Sequence, residues 1–176
     1  ELYHGVKTEF GKNERDASHF VAGAITDEGL RNLWRLVDLA STNFRYVGRV
    51  NWDHLARNST GVFATTACLS GLVSKGILAE GDPYEPLNRY LEIFRDNFYV
   101  EIHTYPGPEQ EAVNVELVRI AQERGIPLIY ATDAHFASPE QYEVHDAYVA
   151  MQTGDTIFTP IEDRKMWHPK ALYIQS

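Results

Sequence analysis

The sequence has little cysteine and no long apolar segment, and both features limit what the protein can be. Its 176 residues include one cysteine, Cys68, so no disulfide can form within the chain, which suits a reducing cytoplasm. Its apolar runs are far too short to cross a bilayer, so no membrane partner is expected. The chain begins with Glu1, inside an expected strand, and we therefore expect a fragment of a longer protein.

Positive charge is also scarce. The chain has 16 Lys and Arg residues against 25 Asp and Glu residues, which gives a net charge of −9. This balance argues against a free-standing nucleic-acid-binding protein, because phosphate contacts need Lys and Arg. An acidic domain can still act on nucleic acid if bound metal ions invert the local charge, or if a neighbouring domain delivers the strand.

Several common catalytic motifs are missing. The sequence has no Gly-x-Gly-x-x-Gly, no Walker-type Gly-Lys-Ser/Thr, no Gly-x-Ser-x-Gly and no Cys-x-x-Cys. Nucleotide-cofactor enzymes and serine hydrolases are therefore disfavoured. Hydrophobic residues make up 44% and charged residues 23%, which is typical of a soluble globular domain.

Apolar strand-like runs alternate with helical patterns along the chain, which predicts a parallel α/β architecture amounting to most of a β/α barrel. The expected strands are 1–4, 19–25, 61–67, 98–103 and 127–131, with a short one at 171–174. The expected helices are 27–40, 52–57, 69–79, 84–96, 109–124 and 139–152. In the first helix, Leu30, Leu33, Trp34 and Val37 share one face, which we expect to be buried.

Asp133 and His135 follow the apolar run 126–131, which is typical of a buried parallel strand. If the backbone stays extended there, their side chains leave on the same face. A carboxylate and an imidazole at the C-terminal end of a strand can bind a metal ion, and this is where α/β proteins place their chemistry. The alternative is a helix cap followed by a surface histidine.

Three more residues with the side chains of common metal ligands lie at or near expected strand ends: Glu1, His19 and Cys68. Each has a plain alternative. Cys68 could be a small buried residue, because free cysteine is among the most buried residue types. His19 and Glu1 could be solvated at the surface.

The remaining histidines give weaker signals. His103 shares a strand face with Glu101 and could reach a site inside a barrel. His145 lies on an apolar helical face, where a core histidine is the favoured interpretation. No role is assigned to the others, His4, His54 and His168.

Read in order, the segments resemble the PHP (polymerase and histidinol phosphatase) domain of bacterial or phage replicative DNA polymerases of the polymerase III alpha type. The strongest stretch is Gly125-Ile-Pro-Leu-Ile-Tyr-Ala-Thr-Asp-Ala-His-Phe136, which continues through Glu143-Val-His-Asp146 to Met151-Gln-Thr-Gly-Asp-Thr156. Thr66-Ala-Cys-Leu-Ser-Gly71, Phe98-Tyr-Val-Glu-Ile102 and Pro108-Glu-Gln-Glu111 are also similar to family segments.

The resemblance implies a distorted, TIM-like β/α barrel of seven strands, with residues 1–176 forming the C-terminal three-quarters of a single PHP domain. It also implies two or three divalent ions, zinc or manganese, and metal-dependent 3′–5′ proofreading exonuclease activity. The implied ligands are Glu1, His19, Cys68, Asp133 and His135, of which Asp133 and His135 are also the implied catalytic residues.

The family's N-terminal His-x-His and Asp-His-Gly blocks are absent here, and they would supply further ligands and strands.

The implied partners are a DNA 3′ end delivered by the polymerase domains, the rest of the alpha chain and other replisome subunits. The implied location is the cytoplasm. Three alternatives stay open: a catalytically silent scaffold of the polymerase, a stand-alone PHP phosphoesterase and an unrelated metal-dependent hydrolase. The isolated chain is expected to be a poor catalyst.

Overall fold

The computed structural model describes residues 2–5, 17–45, 47–79 and 81–175, which form a mixed α/β fold. The strands are β1 (Leu2–His4), β2 (Ser18–Ala24), β3 (Phe44–Arg45), β4 (Val47–Val50), β5 (Val62–Thr65), β6 (Phe98–His103) and β7 (Leu128–Ala131). The helices are α1 (Asp27–Thr42), α2 (Trp52–Arg57), α3 (Leu72–Leu78), α4 (Tyr84–Phe94), α5 (Pro108–Arg124) and α6 (Tyr142–Thr153). The predicted helices are therefore confirmed, with shifts of a few residues at their ends.

The strands lie in the order β3-β4-β1-β2-β5-β6-β7. β5 pairs with β6 in parallel, as expected. β1 pairs in parallel with β4, a strand that the sequence pattern did not predict. β2 runs antiparallel to both of its neighbours, β1 and β5, so the expected parallel α/β architecture is confirmed only in part. A parallel neighbour needs a crossover, usually a helix, and the sequence between β1 and β2 carries no helical pattern.

The described residues divide into two compact units, and each is described by itself. The described residues of the first unit lie within 1–102 and 112–129, and those of the second unit lie within 103–111 and 130–176. The assignment of residues 1–176 to a single domain remains a prediction. No helix in the described part of the chain is long and apolar enough to cross a membrane.

Helix α1 begins as predicted but buries a different face. The Thr26 side chain caps it by accepting a hydrogen bond from the Gly29 N–H at 3.1 Å. The expectation that Leu30, Trp34 and Val37 are buried is wrong, since all three are exposed. The buried side of α1 is formed by four other residues: Gly29, Asn32, Leu36 and Ala40.

Contacts with the turn before β5 explain this rotation of α1. The Asn32 side-chain amide donates to the Thr60 carbonyl at 2.9 Å. Gly29 lies so close to the turn that an added Cβ would be 1.7 Å from the Gly61 carbonyl oxygen. Only glycine permits this approach, and a buried amide needs its partner, so these contacts override the apolar pattern.

Strand β7 was expected to be buried, and this prediction is wrong. Leu128 and Tyr130 are 42% and 53% exposed. β7 is the last strand in the sheet order, which leaves one of its edges without a neighbouring strand of this sheet. The expected C-terminal strand is reduced to a single bridge between Phe136 and Tyr173.

The core of the first unit contains a buried aromatic group around Tyr90, whose ring stacks on Phe20 and Phe98. The Tyr90 hydroxyl lies 2.7 Å from Nδ1 of His4, which is fully buried. Burial, with a smaller effect of the Arg89 charge, lowers the pKa of His4 to about 3. His4 is therefore neutral at pH 7 and acts as a core residue.

We predict that His4 makes folding sensitive to acid. The unfolded chain binds a proton at His4 near pH 6.5, whereas the folded chain does so only near pH 3, so folding stability falls as pH drops through that window. The free energy of unfolding should decrease by about 2 kcal/mol from pH 7 to pH 5 on account of this residue. Urea unfolding of the parent and of His4→Leu at both pH values measures the effect. An equal pH dependence in the two proteins would contradict the prediction.

Candidate metal centre

The structure brings His19 and Cys68 together in the first unit. Because β2 is antiparallel to β5, with Val21 paired to Thr65, the start of β2 lies beside the C-terminal end of β5. His19 bridges to Gly71, just beyond that end. The Cys68 Sγ consequently lies 3.2 Å from His19 Nδ1, although the two residues are far apart in sequence.

The backbone and ring of His19 are both held in place. Its N–H donates to the Ser70 carbonyl at 2.9 Å, and its ring meets the Tyr3 ring edge-on, with centroids 5.2 Å apart. Next to it, the Lys75 ammonium group donates to the Ala17 carbonyl and the Ser18 hydroxyl, each at 3.0 Å. These contacts pre-organise the imidazole before any ligand binds.

Asp133 and His135 belong to the second unit, and the backbone there is not extended. Asp133 has a φ of 49°, in the left-handed region, and β7 has already ended at Ala131. The prediction that strand alternation directs both side chains to one face is therefore wrong. The turn instead places the Asp133 carbonyl 2.7 Å from His135 Nδ1.

This contact selects the tautomer of His135. A carbonyl oxygen can only accept, so in the neutral ring Nδ1 carries the proton and Nε2 carries the lone pair. A metal-binding histidine is commonly held in this way, through a hydrogen bond from its other ring nitrogen. His135 is thus prepared to bind a metal ion through Nε2.

His103 lies next to the carboxylate of Asp133. Its Nδ1 is 3.8 Å from Asp133 Oδ2, and its side chain is buried. The sequence identified His103 only as a residue that could reach a site through a shared strand face. In the second unit it lies where it can orient the Asp133 carboxylate.

His145 and His168 form a cluster with His135 in the second unit. His145 Nε2 lies 2.7 Å from His168 Nδ1, and the His168 ring centroid is 4.2 Å from that of His135. Burial, and then repulsion from His135 when that ring is protonated, lowers the pKa of both rings, that of His168 to about 4. Both rings are therefore neutral at pH 7.

Sequence reasoning missed this cluster. His145 was interpreted as a core histidine, and His168 was given no role. No spacing rule connects the three residues, because they meet only when the chain after α6 returns to Phe136. The one hint was that α6 directly follows the Asp133–His135 segment.

The described side chains do not form a complete metal site. Glu1, the fifth expected ligand, lies outside the residues that the structure describes. Within residues 2–5, 17–45, 47–79 and 81–175, no group of three or more His, Cys, Asp or Glu side chains is arranged to hold one metal ion. The two pairs of expected ligands, His19 with Cys68 and Asp133 with His135, belong to different units.

The His19–Cys68 pair nevertheless fits a zinc-type ion. Zinc bonds of ~2.3 Å to sulfur and ~2.0 Å to nitrogen, at a tetrahedral angle, place the two donor atoms about 3.5 Å apart. The observed separation is 3.2 Å. Thiolate and imidazole are both ligands that zinc prefers.

The profile of the PHP domain family matches residues 1–105, more than half of the chain. With its mixed α/β sheet and strand-end polar residues, the chain belongs to the PHP domain family.

The chain is similar to curated proteins named DNA polymerase III subunit alpha. The DNA polymerase III subunit alpha of Aquifex aeolicus is 34% identical over 142 residues, covering 79% of this chain and 12% of that protein. The subunit of the same name from Borreliella burgdorferi is 30% identical over 183 residues, covering 100% and 16%. That from Chlamydia trachomatis is 27% identical, covering 97% and 16%. The chain thus spans about one-eighth to one-sixth of the length of these relatives.

We predict that His19 and Cys68 are energetically coupled in zinc binding. His19→Ala and Cys68→Ala should each weaken binding by more than the roughly 10- to 100-fold that losing a supporting hydrogen-bond partner costs. The double variant should lose little beyond either single one, because one ion needs both donors. Competition titration against a zinc-binding dye measures the affinities.

His54→Gln provides the matched control for this cycle, because Gln can retain the capping box that His54 forms with Asn51 at the start of α2. Its zinc affinity should equal that of the parent. Fully additive losses in the double variant would show that the two residues do not share an ion.

Proposed function

We propose that this chain is the PHP domain of a replicative DNA polymerase of the polymerase III alpha type, and that it hydrolyses phosphodiester bonds as a metal-dependent 3′–5′ proofreading exonuclease. The observation that carries the proposal is the contact between Cys68 Sγ and His19 Nδ1 at the end of β5. A distorted β/α barrel of seven strands belongs to the same proposal, supported by the parallel pairs β1–β4 and β5–β6.

The proposed ligands are Glu1, His19, Cys68, Asp133 and His135, and the ions are zinc or manganese, two or three in number. Once bound, such ions lower the pKa of a water molecule, polarise the phosphate and stabilise the departing 3′ oxygen. The chain's own residues must supply deprotonated donors. Cys68 must lose its thiol proton, while His135 already has Nε2 free because Nδ1 is bound to the Asp133 carbonyl.

Asp133 supplies the negative charge of the second pair of ligands, and His103 Nδ1 lies 3.8 Å from its Oδ2. The acidic chain, with its net charge of −9, offers little attraction for DNA by itself. We therefore propose that the polymerase domains deliver the 3′ end, and that the rest of the alpha chain and other replisome subunits are its protein partners.

We predict that Asp133→Asn abolishes exonuclease activity while preserving the fold. Asn tolerates the left-handed conformation that Asp133 adopts, so the turn should survive, but its neutral amide is a much weaker metal ligand than a carboxylate. The measurement is the release of nucleotides from a 3′-mismatched primer by the polymerase that carries this domain. Circular dichroism reports on the fold.

Glu162→Gln is the matched control, since it removes the charge of an exposed carboxylate in the same unit. It should retain full activity. Undiminished activity in Asp133→Asn would contradict the assignment of Asp133 as a metal ligand.

A scaffold function is a second candidate, favoured by the exposed apolar row on α1. Leu30, Trp34 and Val37 repeat at helical spacing, and Trp34 is 63% exposed. A contiguous apolar surface of this kind can bind another part of a polymerase.

Elemental mass spectrometry distinguishes the two functions. Two or three tightly held zinc or manganese ions per protein would support the exonuclease, whereas a folded, monodisperse protein without them would support the scaffold.

A further inference from the structure

The segment that carries Cys68 contains an unusual backbone conformation. Ala67, directly before Cys68, has a φ of 57°, although it is not a glycine. The left-handed region is unfavourable for a residue with a Cβ, so such a conformation persists only where the surroundings impose it. The path of the chain from the end of β5 to Cys68 therefore depends on the contacts that stabilise the conformation of Ala67.

A buried hydrogen-bond network provides this restraint. The Thr65 hydroxyl donates to the Glu101 carboxylate and accepts from the Ala67 N–H at 3.1 Å. The neighbouring Thr66 hydroxyl accepts from the Glu101 N–H at 2.9 Å. Thr65, Thr66 and Glu101 are all buried, so these bonds are made away from competing water.

The far end of the same turn is anchored to His19. The Gly71 N–H donates to the Cys68 carbonyl, and the His19 N–H donates to the Ser70 carbonyl, each at 2.9 Å. A Cβ on Gly71 would lie 2.2 Å from the Thr66 carbonyl oxygen, so the turn is closed tightly on itself. A rotation at Ala67 would consequently move the thiol relative to the imidazole.

We infer that Thr65 and Glu101 are positioning residues for the His19–Cys68 pair. Glu101 fixes the Thr65 hydroxyl, the hydroxyl holds Ala67 in the left-handed conformation, and that conformation directs the Cys68 thiol to His19 Nδ1. The inference rests on the proposed function and adds to it two residues that do not touch the metal ion.

The hydroxyl of Thr65 is suited to this role because one oxygen both donates and accepts. Valine has the same shape but can do neither, whereas serine retains both. Glutamine at position 101 can still accept from Thr65 through its amide oxygen, whereas alanine cannot. Glycine at position 67 adopts a positive φ without support. Matched pairs of variants therefore separate the hydrogen bonds from the volume of the side chains.

The test measures cadmium binding to the 176-residue chain through the ultraviolet charge-transfer band between cadmium and a thiolate. Cys68 is the single cysteine, so the band reports on this thiol alone. Thr65→Val should weaken the cadmium affinity by about 10- to 100-fold, while Thr65→Ser and Glu101→Gln remain close to the parent. Adding Ala67→Gly to Thr65→Val should recover most of the loss.

Three results would overturn the inference. They are an unchanged affinity in Thr65→Val, an equal loss in Thr65→Ser, and no recovery in the Thr65→Val/Ala67→Gly double variant. Circular dichroism verifies the fold of each variant. If Thr65→Val does not fold, Glu101→Ala replaces it and should show the same loss of cadmium affinity, while Glu101→Gln should remain close to the parent.

The rate at which iodoacetamide alkylates Cys68 separates this inference from the proposed function. If the parent chain binds no cadmium at Cys68, the metal site proposed there fails. The positioning inference would still predict different alkylation rates for Thr65→Val and Thr65→Ser, with Ser like the parent. Equal rates in the parent, Thr65→Val and Thr65→Ser would overturn it as well.

Discussion

The antiparallel position of β2 between β1 and β5 is the constraint on which the candidate metal centre depends. Parallel strands end at a common edge of a sheet, and reversing β2 brings its first residues to that edge. His19 therefore lies beside the turn that carries Cys68. In a parallel β2 of the same seven residues, His19 would lie at the opposite edge, about 20 Å away.

Buried polar contacts then fix details that apolar packing leaves open. Asn32 and Gly29 choose which side of α1 faces the turn before β5, and Thr65 with Glu101 determines the backbone at Ala67. In each case a buried polar group needs a hydrogen-bond partner, because leaving that group unpaired away from water costs free energy of folding. The same requirement gives the turn that carries Cys68 a single conformation and leaves the thiol close to the imidazole.

Sequence reasoning identified the ligand-type residues but not the geometry within each pair, His19 with Cys68 and Asp133 with His135. His19, Cys68, Asp133 and His135 were recognised because their side chains are typical metal ligands near strand ends. The assumption of an extended backbone failed at Asp133, since nothing local signals its left-handed turn. His168 was missed because its contact with His145 depends on a chain return that no short motif encodes.

The sequence by itself determined where the helices form, the cap at Thr26, the family and the chemical types of the candidate ligands. The helices, the cap and the ligand types depend on local periodicity, on capping and on residue chemistry, which act over a few positions. The family followed instead from the resemblance of motifs along the whole chain. The tertiary structure alone decided the exposed face of α1, the exposure of β7, the direction of β2 and the meeting of His19 with Cys68. Each of these depends on which distant segments become neighbours, because a buried polar group such as the Asn32 amide needs a partner that its own segment does not supply.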